Sequence, residues 1–70
     1  MLLDLKHTFQ QLGRLKNLKI LMLKRCNISV VPDEVQDLRT LEVLDLGENK
    51  LSVQEQKRVK ELLPNTTIIF

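Results

Sequence analysis

Leu18 to Leu51 reads LKILMLKRCNISVVPDEVQDLRTLEVLDLGENKL, and one apolar frame is written in it twice. The first copy is Leu18, Leu21, Leu23, Cys26 and Ile28; the second is Leu41, Leu44, Leu46, Asn49 and Leu51, each displaced by 23 residues. The displacement extends backwards, pairing Leu15 with Leu38, Leu12 with Val35 and Leu5 with Ile28. Eight coincidences at a single offset are more than one amphipathic helix or one strand produces. The frame therefore organises the chain.

A fixed period of about 20–29 residues carrying L-x-x-L-x-L-x-x-N/C-x-L is the signature of a leucine-rich repeat. The chain resembles that family, in its typical class, over nearly its whole length. The resemblance implies an α/β fold, a short solenoid with about three parallel strands on a concave face and short helical turns on the convex face. One domain over residues 1–70 is expected, with repeats at 19–41 and 42–51. Residues 1–18 would be a half-repeat or an N-terminal helical cap, and 52–70 a C-terminal cap of helix plus strand. The first L-x-L strand of that half-repeat would fall at or before position 1, so the chain is expected to begin abruptly and end naturally.

The residues themselves support this division. Leu5, Phe9, Leu12, Leu15 and Leu18 recur at spacings of three and four, an apolar helical stripe that Gly13 is expected to interrupt. Lys19–Lys24 and Glu42–Gly47 alternate with period two, placing Leu21, Leu23, Leu44 and Leu46 inward and the residues between them outward. Between these strands, Val31-Pro32-Asp33-Glu34-Val35 sets Pro where its fixed φ suits a first helical position. Two carboxylates then follow at the positive helix end, and Val35 and Leu38 point inward. Ser52-Val53-Gln54-Glu55 is a capping box that opens a helix through Leu63, closed by Pro64 and Asn65. Thr66–Phe70 is rich in β-branched residues, and Ile68 follows Leu44 by 24 rather than 23. This tail resembles the endings of bacterial leucine-rich-repeat proteins, where a helix and L-P-N precede a last short strand.

Net charge is +2, but the charges are segregated. Residues 1–30 carry Lys6, Arg14, Lys16, Lys19, Lys24 and Arg25 against Asp4 alone, a net +5. Residues 31–49 carry Arg39 against Asp33, Glu34, Asp37, Glu42, Asp45 and Glu48, a net −5, and residues 50–70 return to +2. In a solenoid this gives a basic end and an acidic middle. Mixed charge of this kind is ordinarily a solvated surface, and the sharper reading is a basic end that steers an acidic partner or the acidic flank of another copy.

Catalysis needs convergent reactive groups, and the sequence is poor in them. His7 is the single histidine and lies 19 positions from Cys26, the single cysteine. Asp4 and His7 make a local pair with no nucleophile beside them, and no Cys or His cluster has metal-ligand spacing. The expectation is a protein that is not an enzyme and has no cofactor. Cys26 reads as a packed turn residue in the position usually held by Asn, although Lys24 and Arg25 beside it would favour a thiolate. With no Trp or Tyr and an acidic middle, nucleic-acid binding is not expected. No stretch approaches the roughly 18 apolar residues of a membrane span, and no signal peptide is visible, so the expected location is cytoplasmic.

The family resemblance implies a protein partner on the concave face, met by residues between the inward leucines. Those positions are Ile20, Met22 and Lys24 on the first strand, Val43 and Asp45 on the second, and Thr67 and Ile69 on the third. The alternative is a capping or truncated segment with a structural role, one that self-associates through the open strand edge at Lys19–Lys24. Lys19 and Lys24 oppose that pairing.

Overall fold

In the computed structural model, which describes residues 4–70, the alternating stretches form three strands of three residues each. These are β1 (Ile20–Met22), β2 (Val43–Asp45) and β3 (Thr67–Ile69), all parallel and ordered β1-β2-β3. The register pairs Leu21 with Leu44 and Leu44 with Ile68, so the offsets of 23 and 24 in the sequence are the strand-pairing offsets. The strands are shorter than the stretches expected at 19–24, 42–47 and 66–70. Backbone bonding nevertheless continues past them, from Leu23 N–H to Asp45 C=O (2.8 Å), Arg25 N–H to Gly47 C=O (3.0 Å) and Leu46 N–H to Ile69 C=O (2.7 Å). Arg25 and Glu48, themselves 23 apart, then enter the left-handed region at φ 57° and 56°, and this turn ends each extended run.

Two helices pack against the segment between β1 and β2. The first, α1 (Leu5–Leu12), is capped by Asp4, whose carboxylate accepts the His7 backbone N–H at 3.1 Å. The Asp4–His7 pair noted in the sequence is thus a helix cap. Residues 1–3 of the expected N-terminal cap, and the strand expected at or before position 1, lie outside the described residues. Helix α1 ends at Gly13, as expected, but with φ −61° and not by a left-handed turn. Gly13 is needed there for close approach, since a Cβ would stand 3.1 Å from the Asp37 Cβ and 3.2 Å from the Phe9 carbonyl oxygen. The second helix, α2 (Val53–Leu62), starts at Ser52, whose hydroxyl accepts the Glu55 N–H at 3.1 Å, one half of the expected capping box, while the Glu55 carboxylate turns to the Val31 N–H and Arg58.

The segment between β1 and β2 holds one short 3-10 turn, Asp33–Asp37. Pro32 precedes it at φ −61°, ψ 152°, one position earlier than the sequence reading placed it. Its extended ψ carries the chain into the turn while leaving its missing N–H outside the helical bonding. The core lies between this turn, the two helices and the inner face of the sheet. Phe9, Val31, Val35, Leu38, Leu44, Leu46 and Val59 are almost wholly buried, with Leu5, Ile28, Leu41 and Leu63 around them. Ile68 and Phe70 are half-buried against it. The radius of gyration, 11.0 Å, matches the roughly 11 Å of a compact chain of this length. Among the described residues no helix is long and apolar enough to cross a membrane.

The frame positions are not buried equally. Leu38 is 2 % exposed, whereas Leu15, its counterpart one offset earlier, is 52 % exposed. Leu15, which the sequence frame placed in the apolar stripe of residues 5–18, is thus not covered by the core: it lies beyond the end of α1, in the turn that leads to β1. Leu18, Leu21 and Leu23 are likewise only half-buried, against full burial of Leu41, Leu44 and Leu46.

Candidate interaction surface

The parallel register sets the expected surface residues in two cross-strand rows, Ile20–Val43–Thr67 and Met22–Asp45–Ile69. Side chains two apart on a strand share a face, so both rows stand on the side opposite Leu21, Leu44 and Ile68. Ile20, Met22 and Ile69 are exposed at 59, 66 and 46 %, Val43 is half-buried, and Thr67 is exposed. The face is thus an apolar strip across all three strands, roughly 10–15 Å wide at the usual strand spacing.

Asp45 departs from its expected role. It is on this face but only 9 % exposed, flanked in its row by Met22 and Ile69. Its carboxylate accepts the Gly47 N–H at 2.8 Å, which ties it to its own turn. Asp45 therefore braces the strand end and offers little surface to a partner. Lys24 lies beyond the Met22 row, its stem passing over Gly47, where a Cβ would stand 3.7 Å from Lys24 Cγ. Its ammonium reaches Glu48 at 4.0 Å.

At the strand ends the turns are tied together by Asn49. Its Oδ1 accepts from the Cys26 N–H at 2.9 Å and the Ile28 N–H at 3.0 Å. Its Nδ2 donates to the carbonyls of Leu23 and Leu46, both at 2.9 Å, and more weakly to Gly47 at 3.3 Å. One amide thus satisfies two successive turns. Cys26 is half-buried, and its thiol makes only a 3.5 Å contact with the Lys24 carbonyl.

Sequence reasoning read the basic and acidic blocks as separate surfaces, whereas the fold interleaves them. Lys19 pairs with Glu42 at 3.3 Å, and Arg25 pairs with Glu48, both at the 23-residue offset. The Arg25 guanidinium draws the Glu48 carboxyl below the usual carboxylate range, and the Arg25 pKa is raised in turn. Opposite charges recurring at the frame's own offset were the signal for these pairs. A second cluster had no such signal. Arg58 on α2 bonds the carboxylates of Glu55 (3.0 and 2.9 Å) and Asp33 and the Val31 carbonyl, and Glu55 accepts the Val31 N–H at 2.7 Å. The bond from Arg58 chiefly holds the Glu55 carboxyl below its ordinary value, helped by the Val31 N–H and opposed by burial. This cluster clamps α2 to the segment between β1 and β2, at Val31 and Asp33.

Among the described residues no group of three or more His, Cys, Asp or Glu side chains is placed to hold a metal ion. No protein-family model matches the chain, and no curated protein matches its sequence.

Proposed function

We propose that the chain is a short leucine-rich-repeat solenoid that acts as a protein-interaction module, not as an enzyme, and receives its partner on the outer sheet face. The observation that carries this reading is the joint exposure of Ile20, Met22 and Ile69 in two adjacent cross-strand rows. Single exposed apolar residues are ordinary, but a contiguous strip on a small protein marks a contact surface. Val30 and Val53, also well exposed, lie outside the sheet and do not extend the strip. The repeat assignment is supported by the 23-residue offset of the sequence frame and by the bridging of two turns by Asn49. The contact residues are then Ile20, Met22, Val43, Thr67 and Ile69, with Lys24 at the margin.

Site-specific photo-crosslinking tests the assignment. A photoreactive side chain at Met22 is expected to capture a defined protein, and the capture is expected to be lost when Ile20→Lys and Ile69→Lys are added. The same probe at Lys57, on exposed α2, is the control. Equal capture from both positions, or capture indifferent to the two lysines, refutes the sheet-face reading.

A further inference from the structure

The sheet has a second unpartnered feature, independent of the outer face. Its order, β1-β2-β3, leaves β1 with one strand neighbour among the described residues. Leu23 and Arg25 donate toward β2, and Lys19 accepts from Glu42 and Val43, so the odd-numbered residues bond inward. Backbone groups alternate sides along a strand, which turns the N–H and C=O of Ile20 and Met22 to the open edge. Below that edge Leu21 and Leu23 are half-exposed, and Leu15–Leu18 line an open depression of about 350 Å³ beside it. Backbone groups in a row with no partner among the described residues select an extended segment as occupant, and the half-exposed leucines select one with apolar residues two apart.

Charge decides which extended segment. From Leu5 to Pro32 the chain carries six basic residues and no acidic one. A second copy of this chain is a poor occupant, because β1 against β1 brings two basic edges together. The other edge, β3, belongs to the 50–70 segment, which is itself net positive. The pairing that β1 already makes on its inner side is the guide: Glu42 sits beside Lys19 and Glu48 beside Arg25, at the two ends of an acid-x-Leu-x-Leu-x-acid strand. Lys19 and Arg25 are well exposed, so each can take a second carboxylate from the open side.

We infer that the open edge of β1 is a docking site for an acidic, leucine-bearing extended segment of another protein, added to the sheet as a fourth parallel strand. The probe is a synthetic heptapeptide with the sequence of residues 42–48, and its control is the same peptide with lysine at the three acidic positions. Titration into the full chain, followed by amide NMR, is expected to give saturable binding of the acidic peptide. Shifts should centre on Ile20, Met22 and residues 15–18, with slowed amide exchange at Ile20 and Met22. Affinity should fall at least tenfold in Lys16→Glu and in high salt, and should be retained in Ile20→Lys, which keeps the edge backbone but alters the outer face. Equal binding of the lysine peptide overturns the inference, as do shifts centred on Val43 and Ile69, no binding at millimolar peptide, or an edge already occupied by self-association in light scattering. Because Lys16→Glu leaves the outer face untouched and Ile20→Lys leaves the edge intact, failure at one surface is separable from failure at the other.

Discussion

Replacing Asn49 by Ala should be among the most damaging polar substitutions available in this chain. The side chain makes four hydrogen bonds at 3.0 Å or less, two accepted from Cys26 and Ile28 and two donated to Leu23 and Leu46. At about 0.5–1.5 kcal/mol net per bond the sum is about 2–6 kcal/mol. Asn49 is only half-buried, so water reaches some of the orphaned groups, and the lower part of that range, about 2–4 kcal/mol, is the expected loss. For a domain of this size each kcal/mol moves Tm by about 4–8 °C, giving a fall of about 8–32 °C. Urea unfolding followed by circular dichroism reads the change directly. Asn49→Asp keeps the accepting oxygen but loses both donations and sets a carboxylate against two carbonyls, so it should behave more like Ala than like Asn. Cys26→Ala removes only half-buried packing and a weak thiol contact, about 0.5–1 kcal/mol. A loss below about 1 kcal/mol in Asn49→Ala, or a larger loss in Cys26→Ala, would refute the assignment of the turns to Asn49.

Two further changes probe the clamp and the turns. Glu55 has a folded-state pKa below its unfolded value, so its contribution is present above the unfolded carboxyl pKa and is lost as pH falls through the folded one. Acid titration of stability should therefore decline below about pH 4–5, and Glu55→Gln should flatten that decline while costing about 1–2 kcal/mol at neutral pH; an unchanged acid limb would count against the clamp. Glu48→Gly relieves a left-handed residue at the expense of an exposed ion pair with Arg25 and some backbone entropy. These effects nearly offset, so the denaturant midpoint of the variant should stay close to that of the parent, and a clear fall in it would show the pair to matter more than the strain.

Strand register was legible because it depends on a periodic apolar frame, and slipping it by one residue would turn every leucine of a strand outward. The start of α2 was legible from the capping chemistry at Ser52, whereas Asp4 was read only as half of a local pair with His7, and its role as the cap of α1 emerged from the structure. Strand length was legible only in part: the left-handed residues Arg25 and Glu48 fall just past the stretches expected at 19–24 and 42–47, yet only three residues of each stretch keep regular pairing. The outer-face residues followed from register alone, except Asp45. A short acid in the middle of a sheet reads as surface, yet here it is enclosed between Met22 and Ile69 and bonds to the Gly47 N–H. The Arg58 clamp was illegible for a related reason: its partners Val31 and Asp33 lie 27 and 25 residues away, an adjacency that only the packing of α2 creates.

The two strand-pairing offsets have a consequence for how the chain assembles. Pairing β1 with β2 and β2 with β3 closes loops that differ by a single residue, 23 against 24. Closure entropy grows only with the logarithm of loop length, so the two steps differ by less than about 0.1 kcal/mol. Topology therefore gives neither end priority. The order of assembly passes to local stability, where α2, ten residues long with a capped start, outweighs the eight-residue α1 and the five-residue 3-10 turn. Folding is therefore expected to begin at the C-terminal half, with β1 the last strand laid down, and early amide protection in β1 during pulsed hydrogen exchange would refute this order.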